Sequence, residues 1–380
     1  MKIVLMAPRL PPAHDGVGDS AHALASACVS EGHNVHVLTA GDDATATVYR
    51  ATHLGPSWGL TAAARACAIL TRERADAFLV EYTPFLYGVF SPVPLIVTRF
   101  ARAIGVPCTV IAHEAFYGLQ NGAVTSGVKA AYFALRDRAV LEAADRIAVP
   151  SEARRERIAA RLPHIAERIR VVPIGANVEP PPWYARAAAK NGRHEIVAFG
   201  VVMRRHRFEL AIETLALLRK RFDARLTVVG RVFDEDYARR CMQRAAELGV
   251  ADRVTFTGAL DAAEISQRWS RADVAIYATT DGVSGSSGSL LALLAHGLPI
   301  VAAGTPAEEG AFNDVVIHTG EDANAIAEGV VRLITRPDDA RDLGMRAMSR
   351  YRDAFGWASA AQILTCGYVA RGLDERVACS

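Results

Sequence analysis

Short, largely apolar runs alternate with helix-length segments along almost the whole chain, and this rhythm constrains the fold more than any other feature. In the first half the runs fall at 2–7, 34–39, 77–80, 108–112, 146–150 and 169–172. In the second half they fall at 195–199, 226–229, 254–257, 274–277 and 300–302. A strand with one wet face alternates apolar and polar residues. These runs do not alternate, so both of their faces must be covered. Helical stretches lie between them, at 19–31, 235–248, 262–270, 289–296, 324–335 and 340–355. Phe208, Ala211, Ile212, Leu215 and Leu218 recur at the spacing of a core-facing helix. Strands joined through helices run parallel, so the expected class is α/β with doubly wound parallel sheets.

The rhythm breaks once, at 173–194, where Pro180, Pro181 and Pro182 stand in a stretch without periodicity. This reads as a linker, and 380 residues exceed one compact core. The expected division is 1–178 and 179–355, followed by a last helical segment, 356–380. That segment carries Trp357, Ala361, Leu364 and Tyr368 on one stripe. Ligands of such sheets bind at the carboxyl ends of the strands, so a cleft between the two domains is the expected site.

Several function classes fall away on composition. A net charge of +2 without a basic run leaves no electrostatic footprint for nucleic acid. Cys28, Cys67, Cys108, Cys241, Cys366 and Cys379 form no Cys-x-x-Cys pair and join no His cluster, so no metal is expected and the thiols read as buried and free. No cofactor is expected, and a reducing cytoplasm fits. The apolar run at 3–7 is too short for a signal peptide. Prolines and glycines interrupt 82–98 and 282–307, so no integral membrane segment is expected. The first of these stretches reads as a buried element or as a peripheral contact with the inner face of a membrane.

Four segments at strand ends carry candidate chemistry. Asp15-Gly16-Val17-Gly18-Asp19-Ser20 precedes the first helix, where glycine lets backbone approach a ligand and the helix N-terminus attracts anions. Gly16, Gly18 and Ala21 also fit a dinucleotide fingerprint, but that motif turns directly after its strand. Here 8–15 intervene, and a plain helix cap is the third reading. His113-Glu114 ends the strand at 108–112. A histidine there bonds a sugar hydroxyl or moves a proton, or is simply a satisfied, partly buried side chain. Met203-Arg204-Arg205-His206-Arg207 puts three arginines at a helix start, which suits a diphosphate through bidentate bonds; a solvated basic loop is the alternative. Asp281-Gly282-Val283-Ser284-Gly285-Ser286-Ser287-Gly288-Ser289 leads into an apolar helix and offers N–H groups and hydroxyls to a phosphate. No Gly-Lys-Ser/Thr ends it, so it is not a P-loop. A loop capped by Ser287 or Ser289 is the alternative.

Further segments give these loops a context. They are Val-Ile-Ala-His-Glu at 110–114, Val-Pro-Ser-Glu at 149–152, Val-Val-Pro-Ile-Gly-Ala-Asn-Val at 171–178 and Arg-Val-Thr-Phe-Thr-Gly at 253–258. Arg-Ala-Asp-Val-Ala-Ile-Tyr at 271–277 and Leu-Ala-His-Gly-Leu-Pro-Ile-Val-Ala at 294–302 follow. In order and spacing the set resembles the retaining GT-B glycosyltransferases (group 1, family 4-like), which include many bacterial sugar transferases. The resemblance implies two Rossmann-like domains with an interdomain cleft. Residues 1–178 would bind the acceptor and 179–355 the nucleotide sugar, with 356–380 crossing back to the N-terminal domain. It implies catalytic roles for His113 and Glu114. It implies donor contacts at Gly16, Gly18, Arg204, Arg205, Arg207, Gly230, Arg231, Leu260, Asp281, Ser284, Gly285, Ser287, Gly288 and Ser289. The family's usual Arg and Lys after the strand ending at Gly200 are Val201 and His206 here, and its two donor-loop glutamates align with Ser284 and Ala292.

The implied reaction moves a hexose from a nucleotide-diphosphate sugar, UDP-linked before GDP-linked, to a hydroxyl of a sugar, lipid-linked or small-molecule acceptor. Anomeric configuration is retained, and the product serves polysaccharide, glycolipid or natural-product biosynthesis. Trp58, Tyr82, Phe85, Tyr87, Phe116 and Tyr117 line the acceptor surface or belong to the core. Rival readings are a catalytically impaired protein that binds sugar nucleotides or a partner, a nicotinamide oxidoreductase, and a phosphorylase-like enzyme.

Overall fold

The computed structural model describes residues 1–11, 16–41, 48–88, 90–116, 127–187, 192–304 and 312–369. The chain forms two compact units. One is Met1–Gly175 together with the segment that begins at Gly356, and the other is Ala176–Phe355.

The first unit is built on seven strands: β1 (Lys2–Met6), β2 (Asn34–Thr39), β3 (Arg50–His53), β4 (Ala77–Tyr82), β5 (Cys108–Ala112), β6 (Arg146–Val149) and β7 (Ile169–Val171). They pair in parallel in the order β3-β2-β1-β4-β5-β6-β7. Every residue of β4 is buried. Phe78, Val80 and Tyr82 enter the core on one face, while Ala77 and Leu79 enter the core on the other. This two-sided burial is why the strand reads as an unbroken apolar run. The β3 sequence, Arg-Ala-Thr-His, is polar and only half-buried, as an edge strand permits, and periodicity gave no sign of it. The helix Trp357–Val369 belongs to this unit. Its Trp357, Ala360, Ala361 and Leu364 share a core with Leu24, Ala25 and Cys28 of the helix Gly16–Ser30. Trp357 lies so close to Gly175 that a Cβ there would overlap the indole.

The second unit has six parallel strands: β8 (Arg193–Phe199), β9 (Asp223–Val229), β10 (Val254–Phe256), β11 (Val274–Ala278), β12 (Ile300–Ala303) and β13 (Ile317–Thr319). Their order is β10-β9-β8-β11-β12-β13. The three-residue edge strand β13 is the second element that the apolar pattern missed. Trp269 is fully buried, with the rings of Phe199 and His296 edge-on at 4.9 and 4.8 Å. The expectation of doubly wound parallel α/β sheets therefore holds in both units.

Other boundaries shift by a few residues. The first helix begins at Gly16 rather than 19, so Gly16 and Gly18 stand in its first turn and not in a loop. Pro337 opens the helix Pro337–Ala354, where its missing N–H costs nothing. Among the described residues no helix is long and apolar enough to cross a membrane.

Candidate active site

In the six-stranded sheet the chain order reverses between β8 and β11, and ligands of open α/β sheets gather at such a switch point. The turns after β8, β9 and β10 are locked together there by glycine. Gly200 has φ 145° and Gly230 φ 150°, and a Cβ on Gly230 would overlap the Gly200 carbonyl. Gly200 N–H donates to Val229 at 3.1 Å, and Gly230 N–H donates to Gly258 at 3.3 Å. The backbones approach so closely that no side chain fits between them. Beyond this seam, Arg231 is exposed and Leu260 half-buried.

The three candidate arginines differ in what holds them. Arg205 forms an ion pair with Asp281 at 2.5 Å, and its carbonyl accepts from Thr280 N–H at 2.9 Å. The turn after β8 is thereby tied to the turn after β11. Arg207, in the left-handed region at φ 40°, pairs with Glu321 at 2.7 Å. Arg204 is exposed and has no side-chain partner among the described residues. It borders a cleft of ≈ 520 Å³ that Met203, Phe233, Asp234, Glu235 and Asp236 also line. His206, at the position of the family lysine, lies against Gly200 and stacks on Phe208 at 5.7 Å. Burial, with Arg205 adding to it, pushes its imidazole down to about 4. It is neutral near pH 7 and supplies no charge to a phosphate.

After β11 the serine-rich turn is internally ordered rather than loose. Tyr277, whose hydroxyl donates to Ser287 Oγ at 2.8 Å, anchors it from the strand. Ser287 caps the helix Gly288–Ala295 by accepting from Leu290 N–H at 3.4 Å, and its Oγ also meets Ser289 Oγ at 3.0 Å. Ser284 Oγ accepts from Ser286 N–H at 3.2 Å. Gly288 sits where a Cβ would overlap the Asn177 side chain, and Gly285 packs beneath Phe355. The amides of Gly288 and Ser289 belong to the first helical turn, which has no intrahelical acceptors. Asp281 faces Arg205 instead of standing free, and Ala292 is completely buried. The second unit thus carries an exposed cation after β8 and serine hydroxyls and first-turn amides after β11, and free first-turn amides are groups that attract anions.

In the first unit His113 follows β5 directly. Its Nε2 is hydrogen-bonded to the Glu81 carboxyl, and Arg154 donates to its carbonyl. His113 N–H donates to Tyr82 at 3.1 Å. The chain beyond is pinned by buried Asp137, which accepts from Tyr82 Oη at 2.7 Å and from Phe116 N–H at 2.8 Å. Burial holds the Asp137 carboxyl above its ordinary range. Glu114 is half-buried and has no side-chain partner among the described residues. Gly16 is exposed and Gly18 buried. Glu81 was missed in the sequence, although a lone carboxylate in the buried strand Ala-Phe-Leu-Val-Glu-Tyr is a visible signal. Of the six aromatics, Trp58, Tyr82, Tyr87 and Phe116 are core, while Phe85 is exposed. Tyr117 lies outside the described residues, as does Asp15.

Residues 15–175 match the family model described as a glycosyl transferase 4-like domain, and 193–336 match glycosyl transferases group 1. On these two matches the chain belongs to the glycosyltransferase families they describe. Its fold is shared with sucrose-phosphate synthase from Thermosynechococcus elongatus, at TM-score 0.69 and 20% identity over 98% of this chain and 99% of that one. The Anabaena protein HepE, solved in complex with UDP and glucose, matches at TM-score 0.74 and 14% identity over 97% and 100%. WaaG, a glycosyltransferase involved in lipopolysaccharide biosynthesis, matches at 0.69 and 16% over 95% and 98%. These likenesses establish the GT-B fold. No curated protein matches the sequence.

Proposed function

We propose that the protein transfers a hexose-type sugar from a nucleotide-diphosphate sugar to a hydroxyl acceptor with retention of configuration. The observation that carries this reading is the strand-end arrangement of the second unit: Arg205, after β8, is tied to Asp281 at the start of the serine-rich turn whose Ser287 caps the helix Gly288–Ala295, and Arg204, next to it in the chain, has no side-chain partner among the described residues. As the glycosidic bond breaks, the departing diphosphate gains charge. Preorganised donors aimed at that charge contribute about 3–4 kcal/mol each. Arg204 does so directly, and Arg207 joins it by exchanging Glu321 for phosphate. The leaving phosphate takes the acceptor proton, so no metal is needed. His113 bonds a sugar hydroxyl, and the first unit binds the acceptor. UDP-sugars are favoured as donors because HepE has been solved with UDP and glucose on the same fold.

The test is the double variant Arg204→Ala/Arg207→Ala assayed against UDP-, GDP-, ADP- and dTDP-sugars. Turnover should fall by more than the roughly 10²–10³-fold that one such donor is worth, with the fold intact; unchanged turnover removes the diphosphate role. A second reading, a binding module without turnover, is favoured by one observation. Ala292 is buried and Asp281 is committed to Arg205, so the two donor-loop carboxylates have no free substitute. Binding of a nucleotide sugar with neither transfer nor slow hydrolysis would select it.

A further inference from the structure

Glu81 is the least expected side chain in the first unit. It is completely buried, it sits at the end of β4, and β4 lies at the point where the strand order reverses. Register explains its partner. In the parallel β4–β5 pair Glu81 stands beside Ile111, so His113, two residues on, lies on the same face of the sheet. That face also carries Leu79 and Ile111, under the helix Gly16–Ser30. Burial pushes the thiol of Cys28 on that helix up to about 12, and nearby Glu31 and Glu81 add to the shift. One carboxyl oxygen of Glu81 meets His113 Nε2, while the other is buried without a hydrogen-bond partner among the described residues. Thr83 Oγ1, two residues further along, is also buried and unpartnered. A carboxyl group held so poorly by its surroundings costs stability, and a hydrophobic residue would serve the core better. Its remaining value lies in what it does to His113.

We propose that Glu81 is a positioning residue: it accepts the Nε2–H of His113 and thereby fixes the imidazole with Nδ1 bare, as an acceptor for a substrate hydroxyl. The hydrogen bond at one ring nitrogen decides which tautomer exists and so what the other nitrogen offers. Arg154 on the His113 carbonyl and Asp137 on the chain beyond hold the backbone, but neither bonds the ring. Orientation of the ring therefore rests on Glu81. The sugar-hydroxyl role depends on the function proposed above, whereas the tautomer does not.

The experiment is ¹⁵N–¹H NMR of the imidazoles in the full chain, with the His113 signals assigned by their loss in His113→Gln. The expected result is a neutral ring protonated at Nε2, which shifts toward mixed tautomers in Glu81→Gln. A ring protonated at Nδ1 in the wild type overturns the proposal, and that spectrum needs no variant to fold. In a transfer assay Glu81→Gln should lower kcat about 10²-fold with the KM for the sugar nucleotide little changed, and Glu81→Asp should fall between the two. Unchanged kcat in a folded Glu81→Gln overturns the positioning role. If the tautomer is as stated but no sugar nucleotide is ever turned over, the proposed function fails and the tautomer assignment stands.

Discussion

At the carboxyl end of the seven-stranded sheet the polar groups around His113 are mostly buried and bonded to one another; at the same end of the six-stranded sheet they are half-buried or exposed, and the arginines that are paired hold exposed carboxylates. Glu81, His113, Tyr82 and Asp137 form desolvated contacts in the first unit. In the second, Arg204 stands free, Arg205 and Arg207 hold exposed carboxylates, and serine hydroxyls bond mainly each other. The architecture is common to both, so the difference lies in the side chains set at the strand ends: Glu81 and Tyr82 in β4 itself and Asp137 on the helix Gly127–Ala143, against turns after β8 and β11. A site for a charged leaving group needs cations whose partners can be displaced. A site that orients one ring needs partners that cannot.

That contrast can be broken most severely at the glycine seam. Gly230→Val would force a Cβ into the Gly200 carbonyl at φ 150°, and should cost the protein more than about 4 kcal/mol in urea denaturation. A loss under 1 kcal/mol would mean that the turns after β8 and β9 are not locked. The buried side is probed by Asp137→Ala, which strands Tyr82 Oη and Phe116 N–H without acceptors. We expect a loss of about 3 kcal/mol by the same measurement, and a smaller loss in Asp137→Asn.

A third prediction concerns pH. His296 is fully buried between Ser266 Oγ and the Ala292 carbonyl, and burial pushes its imidazole down to about 4 from 6.5. As pH falls, the unfolded chain takes up this proton first. The stabilisation is complete above about pH 6.5 and is lost progressively down to about pH 4, a difference on the order of 3 kcal/mol. Stability measured against pH in His296→Gln should lack that part of the slope; identical slopes would refute the assignment. The smallest effect belongs to the exposed pair. Asp281→Asn should change stability by less than about 1 kcal/mol while tightening sugar-nucleotide binding, because Arg205 is released. Weaker binding in calorimetry would show instead that Asp281 itself holds the sugar.

The strands that are covered on both faces were legible from their apolar runs, because burial on both faces leaves few polar residues. The edge strands β3 and β13 were not, since one open side tolerates Arg50, His53 and His318. In the candidate site the sequence pointed to the serine-rich turn and the arginine cluster, where glycine, serine and charge concentrate. It did not pair Glu81 with His113, which is 32 residues away and reaches it only through sheet register. Nor did it rank the arginines, since Arg204, Arg205 and Arg207 are alike until Asp281 and Glu321 are brought beside two of them.

By itself, then, the order of residues determined two parallel sheets and the segments that end at strand edges, both of which follow from local periodicity and apolar burial. Only tertiary structure decided which charges are free, which histidine is neutral, and that His113 has a buried carboxyl against its ring. Those properties depend on distance and desolvation between residues far apart in the chain.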